Sequence, residues 1–148
     1  MDLELDLQIA TNERGVPDIA RFESWVRGAA AGLEAAELTV RVVGREESAR
    51  LNERYRSKTG PTNVLSFPAE LPAEIDLPLL GDIVICAPLV DEEARAQGKE
   101  PVAHWAHLVV HGVLHLRGYD HEEQAAAEHM EGLEKDILES LGFSDPYA

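Results

Sequence analysis

Leu3, Leu5, Leu7 and Ile9 alternate with Glu4, Asp6 and Gln8, the two-residue period of a strand with one buried face. After the loop Asn12–Gly15, Pro17 suits a first helical turn. Ile19, Phe22, Val26, Ala29, Ala30 and Leu33 then recur at helical spacing, and Trp25 borders that stripe as a core residue. Leu38, Val40 and Val42 alternate with Thr39, Arg41 and Val43 to predict a second strand ending at Gly44. The run REESARLNERYR predicts a charged amphipathic helix with Ser48, Leu51 and Tyr55 turned inward. A loop from Ser57 to Thr62 leads to a third short strand, Asn63–Phe67, closed by Pro68. Residues 69–78, with Pro72 and Pro78 among acids, lack a period and read as a surface loop, and Gly81–Cys86 is a fourth strand. Pro88 opens a helix to about Gln97, stopped by Gly98. Pro101 opens the next, which carries His104, His107, His111 and His115. A last helix, from about Glu122 to Leu141, is expected to bury Met130, Leu133, Ile137 and Leu141 and to turn its acids to water. Four short strands mixed with about five helices predict an α/β (or α+β) domain with a single mixed sheet. With no repeat or linker, residues 1–148 read as one domain.

A chain of 148 residues buries a proper core without disulfides or a structural metal, so a metal here is read as catalytic. Cys86 is the only cysteine, which excludes an intramolecular disulfide and a thiolate cluster and fits a reducing cytosol. The start of the chain has no basic stretch followed by an apolar one, and no run of eighteen apolar residues occurs, so a cytoplasmic protein without a membrane span is expected. The net charge of −15 argues for solubility and, taken alone, against a polyanionic partner. Its distribution weakens that objection. Between residues 41 and 58, Arg41, Arg45, Arg50, Arg54, Arg56 and Lys58 outnumber Glu46, Glu47 and Glu53, whereas the last 28 residues carry eight acids and one lysine.

The candidate chemistry lies in HGVLHLRGYDH, His111 to His121. On a helix, His111 and His115 share a face with Cβ atoms roughly 5 to 6 Å apart. Gly118 accepts the left-handed conformation that ends a helix, and Tyr119-Asp120 turn the chain so that His121 returns as a third ligand. A catalytic zinc usually has three protein ligands and an open fourth position. A bare pair of helix histidines is also compatible with no metal; the third histidine, the glycine and the turn select the metal reading. His107, His111 and His115 cannot serve as the three, because positions 107 and 115 are roughly 12 Å apart along the axis. His107 reads as a core or outer-sphere residue, and His104 and His129 as surface or packing residues. Gly112 stands where zinc proteases of the HExxH type carry a glutamate base, so a peptidase would lack its proton acceptor. Asp120 either orients an imidazole or bonds the local backbone, and both readings stand.

Taken together these residues resemble the YbeY family of bacterial metal-dependent endoribonucleases. HGVLHLRGYDH matches the family's HGxLHLxGYDH signature; LNERYR followed by PTNVLSFP, then LLGDIVIC and AHWAHLVVHG, resemble the segments leading to it, covering roughly residues 48–148. The resemblance implies one zinc ion on His111, His115 and His121, with His111 also counted as catalytic, and a catalytic role for Arg56 in a basic cleft for RNA. It further implies cleavage of single-stranded regions of ribosomal RNA, maturation of the 3′ end of small-subunit rRNA, and work with the small subunit and its assembly factors in ribosome quality control. Spacing alone reaches only a soluble metal-dependent hydrolase. Two other functions compete: a ribosome-assembly binding factor with a structural metal, and a zinc peptidase or small-substrate hydrolase.

Overall fold

The computed structural model describes residues 1–72 and 74–148. The chain runs β1 (Asp2–Ala10), α1 (Ile19–Ala29), β2 (Ala35–Val43), α2 (Arg45–Arg56), β3 (Val64–Pro68), β4 (Leu79–Cys86), α3 (Ala87–Ala96), α4 (Pro101–Leu116) and α5 (Gln124–Ser140). The strands form one mixed sheet in the order β1-β2-β4-β3, parallel from β1 to β4 and antiparallel at β3. Each parallel step needs a crossover: α1 links β1 to β2, and the stretch holding α2 and β3 links β2 to β4. The residues of 69–78 other than Ala73, which lies outside the described residues, form the expected loop.

Period-two patterning sorts the sheet into two faces. Leu38, Val40, Val42, Ile83 and Ile85 enter the main core with Phe22, Trp25 and Val26 of α1 and the apolar side of α4. Phe22 meets Trp25 and Trp105 edge to face at centroid distances of 5.6 and 5.9 Å, contacts worth about 0.5–1.5 kcal/mol each beyond their burial. On the opposite face Val43, Leu65 and Val84 form a smaller cluster against Leu51 of α2 and Phe67. On the main-core side α4 is the central helix, with ten buried residues. Gly112 allows its close approach to the sheet, since a Cβ there would lie 3.0 Å from Ile83 Cδ1.

Several local expectations are corrected. Pro17 precedes the helix; the N-cap is Asp18, whose carboxylate accepts from the Arg21 N–H. Ile9 and Ile19 are exposed. In α2 the buried residues are Ser48 and Asn52, while Tyr55 is 56% exposed. The helix docks through polar atoms: Ser48 Oγ donates to Thr62 O at 2.8 Å and accepts from Thr62 N at 3.0 Å, and Asn52 Nδ2 donates to Gly60 O at 2.8 Å. In α5 the buried residues are Met130, Leu138 and Glu134, so one of its acids faces inward.

Candidate metal centre

The end of α4 is built as its sequence suggests. Gly118 has φ +96°, its N–H bonds His115 O at 3.0 Å, and Tyr119 N bonds Leu114 O at 3.0 Å. This is the six-to-one and five-to-two pairing of a Schellman cap, and Tyr119 packs back on the core. The helix stops one residue after His115, at Leu116, and the chain doubles back. Asp120 Oδ1 then accepts from the N–H groups of His121 (2.6 Å) and Glu122 (3.0 Å), so of its two readings the backbone one describes its contacts.

His111, His115 and His121 converge, each offering a nitrogen within 4.8 Å of the others. The Nε2 atoms of His111 and His115 are 3.1 Å apart, close to the roughly 3.3 Å separating two nitrogens on a tetrahedral ion with bonds of about 2.05 Å. Three imidazoles beside an open cleft therefore fit a cation with an accessible further position. Burial, with smaller contributions from His111 and His121, holds His115 down at about 4, so its ring keeps a free lone pair through neutral pH. His107 does not join the group: its Nε2 is bonded to Glu134 at 2.6 Å. His104 is buried and bonded to Glu93 at 2.8 Å, while His129 is exposed.

The cleft in front of the imidazoles has a volume of about 670 Å³ and is lined by Arg56, Asn63, Ser66, His115 and His121 among others. Three elements meet there. The last residue of α2 supplies Arg56, the start of the antiparallel edge strand supplies the opposite wall, and α4 with its turn supplies the histidines. The cations of residues 41–58 divide. Arg41 bonds Glu47 and Gln8, and Arg45 pairs with Glu92, whereas Arg54, Arg56 and Lys58 form no ion pair among the described residues. Of these only Arg56, the last residue of α2, lines the cleft. Asn63, whose Nδ2 donates to Glu93 at 3.0 Å, was not singled out by spacing.

Glu134 was missed as well. Only 1% exposed, it receives His111 Nδ1 on Oε1 at 2.8 Å, and His107 Nε2 and the Tyr147 hydroxyl on Oε2, each at 2.6 Å. Burial alone would push its carboxyl up; these donors together outweigh it and hold the group down at about 2. At 23 and 27 positions from its two histidines, it left no local signal.

A solution structure of TM1509 from Thermotoga maritima is similar, with 25% identity over 95% of this chain and 97% of that one and a TM-score of 0.59. Among known families, the description endoribonuclease YbeY matches residues 8–142, a span that takes in β2, β3 and β4, the end of α2 and all three converging histidines. By that match over nearly its whole length, the chain belongs to the endoribonuclease YbeY family.

Proposed function

We propose that this protein is a metal-dependent endoribonuclease that cuts single-stranded regions of ribosomal RNA in the cytoplasm, at the 3′ end of the small-subunit RNA, with zinc held by His111, His115 and His121. The observation that carries this reading is the shared cleft: Arg56 and the three imidazoles line one open space. Zinc, when bound there, supplies Lewis acidity and a water activated at neutral pH. The chain's own residues do the rest. The histidines fix where that chemistry occurs, and Arg56 offers a planar fork of donors to the phosphoryl oxygens, which gain negative charge in the transition state. Cations without acidic partners at the end of α2 draw the RNA backbone toward the cleft despite the negative net charge. Small-subunit assembly factors are the expected partners. Gly112 counts against a peptidase: the position that would carry the glutamate base has no side chain, and a Cβ there would lie 3.0 Å from Ile83 Cδ1.

The test is to incubate zinc-loaded protein and a His111→Ala variant with an rRNA precursor and with a casein-type peptide. Cleavage of the RNA by the parent alone is expected, with about one zinc per chain, lost in the His111, His115 and His121 alanine variants and kept in His104→Ala. Cleavage of peptide only would overturn the assignment. Zinc binding without cleavage of either would favour a binding factor with a structural metal.

A further inference from the structure

A carboxylate 1% exposed on an otherwise apolar helix face is costly unless its oxygens are fully used. Those of Glu134 are, by three donors from two other parts of the chain. A carboxylate accepts and does not donate. His111 must therefore carry its proton on Nδ1, which leaves Nε2 as a lone pair, and it is Nε2 that stands 3.1 Å from His115 Nε2. The third donor comes from beyond α5. Tyr147 lies outside the matched span 8–142, yet the tail is fixed in place: Lys99 Nζ donates to Pro146 O at 2.8 Å, Tyr147 N donates to Asp145 Oδ1 at 2.8 Å, and the Tyr147 ring stands edge-on to His107 at 5.3 Å.

We infer that Glu134 is a positioning residue of the metal centre, holding His111 in the tautomer that presents Nε2 to the cation, and that the C-terminal tail belongs to that centre through Tyr147. Histidine ligands are commonly held in this way by a carboxylate on the other ring nitrogen, and loss of such a partner costs about 10- to 100-fold in metal affinity. The inference rests on the zinc reading proposed above. The rival role for Glu134 is a tie between α4 and α5 with no effect on the ring.

Two measurements on the full-length protein separate these roles: zinc affinity by competition with a chelator, and the ¹⁵N resonances of the His111 ring in metal-free protein. Glu134→Gln keeps the volume but turns one of the two oxygens, which bond different imidazoles, into an NH₂ donor. It is expected to weaken zinc binding by about 10- to 100-fold and to turn a pure Nδ1–H signature at His111 into a mixture of tautomers. Tyr147→Phe, which leaves the buried packing intact, is expected to give a smaller loss in the same direction and decides the matter if Glu134→Gln fails to fold. Zinc affinity unchanged in both variants, or an Nε2–H tautomer in the parent protein, would overturn the inference while leaving the three-histidine site standing. A parent protein that binds no zinc would remove the site itself, and this inference with it.

Discussion

Arg56 is exposed and unpaired among the described residues, so replacing it tests chemistry with little disturbance of the fold. A solvated arginine changed to alanine alters stability by about 0.5 kcal/mol or less, whereas loss of a donor to a developing oxyanion costs about 10² to 10³ in kcat. Arg56→Ala is expected to melt near the parent and keep its zinc but lose most RNA cleavage, with Arg56→Lys recovering part of it. Parent-like cleavage in Arg56→Ala would take this residue out of the mechanism. Gly118 offers the converse experiment. A Cβ there would meet nothing within 4 Å, so any effect of Gly118→Val comes from the backbone, which a β-branched residue resists at φ +96°. The turn that returns His121 is then strained, and weaker zinc binding with all three ligands intact is expected in a chelator titration.

At the scale of elements, α2 sets where Arg56 stands, and polar contacts hold it. Asn52→Ala would leave Gly60 O without its donor, and Ser48→Ala would strip both groups of Thr62. Each is expected to cost about 1–3 kcal/mol, read as a lower urea midpoint, and Asn52→Ala should also slow cleavage by freeing the loop behind Arg56. This docking explains one limit of the sequence. Strand periods and helix breakers placed all four strands and five helices within a few residues, because those signals follow from local geometry. The inward face of α2 was misassigned to Tyr55 because hydrophobic spacing cannot register a helix that packs with Ser48 and Asn52. Glu134 was assigned to water for a related reason: a helical acid looks the same with or without distant imidazoles against it. The three converging histidines were legible because all their spacing lies in one helix end and one turn.

For the whole molecule, burial of imidazoles makes stability depend on pH. His115 is held at about 4, below its ordinary 6.5, and burial also lowers His104. The unfolded chain takes up protons near 6.5 that the folded chain refuses, so without metal stability is full above that pH and falls as pH drops toward 4. Glu134, held at about 2 against an ordinary 4.5, adds a further loss from 4.5 downward. Urea midpoints measured in the presence of a chelator should decline between pH 7 and 5; a flat profile would mean that these rings are not shielded as the structure has them. The placement of the ligands has a different consequence for how the protein comes together. His111, His115 and His121 belong to a single run of chain, whereas Arg56 reaches the cleft only after parallel strands far apart in sequence have paired, and such non-local pairing is the slow part of folding. During refolding, zinc uptake should run ahead of the appearance of nuclease activity. Zinc content alone would then not report that folding is complete.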